Sequence, residues 1–88
     1  MGSTVQIVCD VQVPAEDGMV AVPTCWALDE AISFEASGVL VRALDSSAPQ
    51  VMPARAVAEL VEAGYLLPDG PNRFRLVHPA RLGPMPTA

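Results

Sequence analysis

Between Val5 and Val13 the odd positions Val5, Ile7, Cys9, Val11 and Val13 are apolar, with Gln6, Asp10 and Gln12 between them. That period of two predicts a strand with one buried face. Turn formers follow at Pro14, Asp17 and Gly18, and Met19 to Val22 then reads as a second short strand closed by Pro23. The two predict an N-terminal hairpin. Trp26 and Leu28 come next in an irregular or one-turn helical stretch, with Trp26 expected at the core edge.

The period then changes. Ser33 suits an N-cap, Glu35 suits the positive end of a helix dipole, and Ala36, Val39, Leu40, Ala43 and Leu44 recur at helical spacing. A helix is predicted from Phe34 to Leu44. Gly38 inside it costs about 1 kcal/mol relative to Ala, which close packing of another backbone would justify, or which the helix simply tolerates. Asp45 to Met52 lacks any period and reads as a loop. Pro53 suits a first helical turn, Val57, Leu60 and Val61 form a stripe, and Gly64 suits a left-handed C-cap, so a second helix is predicted from Pro53 to Ala63. Tyr65 to Leu67 and Arg73 to Val77 flank the turn-forming residues Pro68 to Asn72, predicting a second hairpin with Phe74 and Leu76 turned inward and the arginines outward.

Composition narrows the function classes. The chain has 88 residues, enough for one core, and 51% of them are hydrophobic against 17% charged, which excludes global disorder. Ten acidic residues against five basic give a net charge of -5, which opposes nucleic-acid binding unless the cations cluster. All five are arginines, and Arg73, Arg75 and Arg81 lie with His78 in a C-terminal stretch free of acids. Cys9 and Cys25 read as reduced core residues, since nothing resembling a secretory signal precedes them. No apolar run approaches the roughly 18 residues of a membrane span, so a cytoplasmic protein is expected.

Two stretches carry a family resemblance. Residues 18–40, with Gly18-Met19-Val20-Ala21-Val22-Pro23 leading to Ile32-Ser33-Phe34-Glu35-Ala36-Ser37-Gly38-Val39-Leu40, are similar to the opening of small actinobacterial helix-turn-helix proteins. Residues 56–66, Ala56-Val57-Ala58-Glu59-Leu60-Val61-Glu62-Ala63-Gly64-Tyr65-Leu66, resemble the end of their recognition helix and the start of the wing. The resemblance covers roughly residues 18–78 and implies a winged-helix scaffold used in gene control. It departs where the family has a further helix and turn, because only the short stretch from Asp45 to Met52 stands there.

The expected architecture is therefore α+β and winged-helix-like: an N-terminal β-hairpin, two main helices and a C-terminal hairpin wing within residues 1–80, then a flexible proline-containing tail over residues 81–88. Arg55, Arg73, Arg75 and Arg81 are the candidates for holding DNA or another partner, although on its helix Arg55 is set against Glu59 and Glu62, which weakens base reading. The two wing arginines suit phosphate, an acidic partner, or simply a solvated strand face that resists edge pairing. The first strand, through Val5, Ile7, Val8 and Val11, is the candidate for homodimerisation or for accepting a peptide strand, or else it completes a three-stranded sheet with the C-terminal hairpin. Catalysis finds no paired nucleophile and base: Ser33 and Ser37 lack a nearby His, and Glu59 and Glu62 read as a solvated helix face. His78 reads as a surface or strand-end residue, and neither a metal site nor a cofactor is expected. Two functions remain, a non-catalytic winged-helix regulator that binds DNA weakly as a dimer, and a protein- or peptide-binding adaptor without nucleic acid.

Overall fold

A computed structural model of the chain describes residues 2–9 and 17–84. Over these residues the fold is α+β, with three helices and a four-stranded mixed sheet in the order β2-β1-β4-β3. The strands are β1 (Gly2–Cys9), β2 (Gln50–Pro53), β3 (Leu66–Pro68) and β4 (Arg73–Leu76). The helices are α1 (Thr24–Ala27), α2 (Phe34–Asp45) and α3 (Ala54–Glu62). A 3-10 turn, Ala80–Leu82, follows the sheet.

The central strand β1 is shared between two partners. Its first half runs antiparallel to β2, with Gly2 opposite Pro53 and Val5 opposite Gln50. Its second half runs parallel to β4, with Gln6 opposite Arg73 and Cys9 opposite Leu76. A parallel pair needs a long crossover, and here all three helices lie in it. Because paired residues share a face, Ile7, Phe74, Leu76 and Leu66 point one way and Gln6, Val8, Arg73, Arg75 and Leu67 the other. The first set joins one core with Val5, Met52, Leu40 and Leu60, against which α2 and α3 pack.

Local chemistry explains the helix ends. The Ser33 hydroxyl oxygen accepts a hydrogen bond from the Ala36 N–H at 3.2 Å, which satisfies one of the otherwise unpaired donors of α2. At the end of α3 the Tyr65 N–H donates to the Leu60 carbonyl at 3.0 Å and the Gly64 N–H to the Val61 carbonyl at 3.2 Å. This closure places Gly64 at φ 90°, in the left-handed region that favours glycine. The chain is thereby turned straight into β3. The hairpin is closed by the Asp69 N–H donating to the Arg73 carbonyl at 2.8 Å.

Four expectations from the sequence are corrected. Met19 to Val22 is not a strand, and the N-terminal hairpin does not form over the described residues; β1 pairs instead with β2 through its first half and with β4 through its second. The stretch read as a loop holds β2, whose Met52 is 2% exposed. Of the two roles open to the first strand, it takes the one that completes a sheet with the C-terminal hairpin and not that of a free docking edge: Val5 and Ile7 are core residues, Val8 is half-buried on the outer face, and Val11 lies outside the described residues. The outer strands β2 and β3 are short and each ends in proline, which removes a donor and blunts strand addition. Finally, residues 81–84 are not a loose tail, since Arg81 and Leu82 sit in the 3-10 turn and Leu82 packs on the core. The remainder of that tail, residues 85–88, lies outside the described residues.

Candidate functional site

Two polar clusters stand out, and they differ in how much of their bonding capacity is used internally. The first joins the segment after α1 to the end of α3 and to the 3-10 turn. At its centre is Asp29, whose side chain is 5% exposed. One carboxylate oxygen accepts from the Ala31 N–H at 3.0 Å and from Arg81 Nη1 at 3.2 Å. The other accepts from the Tyr65 hydroxyl at 2.7 Å and from Arg81 Nη2 at 2.6 Å. Those four bonds fill the acceptor positions of an ionised carboxylate. The Arg81 guanidinium holds the Asp29 carboxyl well below the usual carboxylate range, against the opposing effect of burial, with help from Tyr65 and Ala31. Burial, then the bond to Asp29, pushes the Tyr65 phenol far above its ordinary value.

The same corner contains Trp26, which is 0% exposed and so lies within the core rather than at its edge. Its indole N–H donates to His78 Nδ1 at 2.8 Å. The two rings are 14° from parallel with centroids 6.0 Å apart. With an in-plane N–H···N bond joining them, this is an edge-to-edge coplanar pair rather than a face-to-face stack. An acceptor Nδ1 leaves the proton on Nε2, which donates to the Gly83 carbonyl at 2.8 Å. Trp26 also meets Tyr65 edge-on at 5.2 Å, and Arg81 lies 5.7 Å from the Tyr65 ring centre while its Nε donates to the Ala63 carbonyl at 3.0 Å. His78 is thus a structural bridge, not a strand-end surface residue. Every functional group in this corner already has a partner, so it ties the C-terminal turn to the body.

The second cluster lies where the N-terminal ends of α2 and α3 meet. Arg55 Nε donates to Glu35 Oε1 at 2.7 Å and Nη2 to Oε2 at 3.2 Å. Both side chains remain accessible, Arg55 at 85% and Glu35 at 38%. Hydrogen bonding to Arg55 lowers the Glu35 pKa, and the same bond raises that of Arg55. Glu59, expected as part of a solvated face, instead accepts from both the Ser33 hydroxyl at 2.8 Å and the Ser33 N–H at 3.1 Å, fastening α3 to the start of α2. A cleft of about 670 Å³ opens beside the pair, lined by Glu35, Val51, Met52, Ala54 and Arg55. The α2 surface also carries exposed apolar side chains, Phe34 at 98% and Val41 at 42%.

The four arginines singled out in the sequence do not converge. Arg55 lies at the α2–α3 junction, Arg81 in the 3-10 turn bound to Asp29, and Arg73 and Arg75 on the outer face of β4, with Arg73 Nε 3.6 Å from Asp69. The sequence reading did not name Asp29, Tyr65, Trp26 or Phe34 as site residues. The first three become significant through partners up to 52 residues away, which no local pattern reveals. Phe34 had a signal: it lies nearly opposite Ala36, Leu40 and Ala43 on a helical wheel, so a helix burying those alanines must expose it. Among the described residues no group of three or more His, Cys, Asp or Glu is placed to hold a metal ion, and no helix is long and apolar enough to cross a membrane. Both Cys9 and Cys25 are half-buried thiols. Comparison with known proteins finds no family model, no curated protein and no solved structure that this chain matches.

Proposed function

We propose that this chain is a non-catalytic regulatory domain of winged-helix type that acts by contacting protein rather than by reading duplex DNA. The winged-helix reading draws on α2 packed against α3 and on a hairpin, β3–β4, that follows α3 directly. It departs from that plan where β2 stands in place of an intervening helix.

The observation that carries the protein-binding reading is the commitment of arginines to carboxylates of the same chain. Arg55 is held bidentately by Glu35, Arg81 by Asp29, and Arg73 lies beside Asp69, in a chain of net charge -5. A phosphate backbone would have to displace those carboxylates and meet the remaining acids, and counterion release from so few cations supports only weak association. Its chemistry is equally poor in catalytic groups: the Asp29 acceptor positions are filled and the Ser33 hydroxyl is engaged by Glu59 and Ala36. The runner-up, duplex binding by the wing, draws on Arg73 and Arg75 exposed together on β4.

Fluorescence anisotropy of a labelled random duplex, titrated with protein at low salt, separates the two. The protein-binding reading predicts no saturation up to high micromolar protein. A binding curve that weakens steeply with added salt, and that is lost on Arg73→Gln/Arg75→Gln, would establish the wing reading instead.

A further inference from the structure

The α2 helix is apolar on two sides. Ala36, Val39, Leu40 and Ala43 face the core, and on the opposite side Phe34, Gly38 and Val41 share one exposed stripe. Phe34 is 98% exposed, and a side chain built at Gly38 would meet nothing within 4 Å. Glycine in the middle of a helix is unfavourable, and among the described residues nothing uses the space that it leaves. A notch of that kind between a phenylalanine and a valine matches the close approach of another helix backbone.

The charges on the same helix indicate which helix. Glu35 lies three residues before Gly38 and Arg42 four after it, while Phe34 lies four before and Val41 three after. The pattern is self-complementary about the glycine. When a second α2 runs antiparallel across a two-fold axis at Gly38, Phe34 of each copy meets Val41 and Gly38 of the other. Glu35 and Arg42 project from the same flank, and such a two-fold keeps that flank on one side of the pair, so Arg42 of each copy reaches Glu35 of the other. Arg55 uses one lone pair on each Glu35 oxygen, and an ionised carboxylate has further acceptor positions. Asp45 at the end of α2 then lies over the N-terminal end of its counterpart, where the helix dipole favours a negative group.

We infer that a second copy of this chain docks on the exposed face of α2, through Phe34, Gly38 and Val41, as an antiparallel helix pair. This rests on the protein-binding reading and names the partner. A helix of this length is about 18 Å long, so the interface is at the small end of specific contacts and the dimer is weak, with a Kd of about 10–100 µM.

Sedimentation velocity on the intact chain, from about 1 to about 500 µM, reads the association directly. The native chain should shift from monomer to dimer across this range. Gly38→Leu and Phe34→Glu should each weaken association at least tenfold, and Arg42→Glu by a smaller factor that shrinks at high salt. Circular dichroism on the same samples confirms the fold, and Gly38→Leu should melt no lower than the native chain because its new side chain enters open space. A native chain that stays monomeric throughout, or a dimer equally strong in Gly38→Leu and Phe34→Glu, overturns the proposal. Neither result alters the duplex titration, which tests the protein-binding reading by itself.

Discussion

The corner around Asp29 and the junction around Glu35 are built from the same parts, an arginine bonded bidentately to a carboxylate near a helix end, and they do different work. Asp29 is 5% exposed and Arg81 39%, whereas Glu35 is 38% and Arg55 85% exposed. Withdrawn from water, the Asp29 carboxylate depends on protein donors for all of its solvation, so losing one partner leaves a buried charge under-bonded. At the junction, water replaces whatever a mutation removes, and the pair contributes little to stability. Burial, not the ion pair itself, separates a structural lock from a surface open to partners.

The largest effect should come from opening the lock. Asp29→Asn keeps the shape but removes the charge that Arg81 and Tyr65 face, and it should lower unfolding free energy by about 2–4 kcal/mol in urea titration. Acid should reach the same group without mutation. The folded-state pKa of Asp29 is depressed below its unfolded value of about 3.9, so its contribution is complete above that pH and is lost as pH falls toward the folded value. Thermal melts from pH 6 to pH 2 should therefore show an acid limb that is flatter in Asp29→Asn. Tyr65 gives the mirror case: its raised pKa makes the neutral phenol the stabilising form, so stability declines as pH rises above about 10, and Tyr65→Phe removes that alkaline limb.

Smaller effects sharpen the contrast. Trp26→Phe leaves His78 Nδ1 without its donor and loses indole packing in the core, and should cost about 1–3 kcal/mol by the same titration. On the open side, Gly38→Ala should stabilise the fold by about 0.5–1 kcal/mol, because a methyl group there meets nothing. At the end of the series, Arg55→Gln should leave the melting temperature unchanged within measurement.

Most of the secondary structure was legible because it obeys local rules. The period of two located β1, the stripe Ala36, Val39, Leu40 and Ala43 located α2 within one residue of its observed end, and Gly64 marked the end of α3. The failures among the strands have one cause, since strand pairing is a non-local decision. Met19 to Val22 has strand-forming residues yet joins no strand, while β1 pairs through its first half with β2 and through its second half with β4. Gln50–Pro53 has too few residues to show a period and becomes a strand through its register with the start of β1. The lock was illegible for the same reason: Arg81 read as a cation available to DNA until folding brought it against Asp29.

A pair of double-mutant cycles tests this contrast most directly, one on Asp29→Asn with Arg81→Gln and one on Glu35→Gln with Arg55→Gln, both followed by urea unfolding. The account predicts a coupling energy of about 1–3 kcal/mol for the buried pair and additive behaviour for the exposed one. Additivity in the Asp29–Arg81 cycle, or coupling of equal size in both, would contradict it.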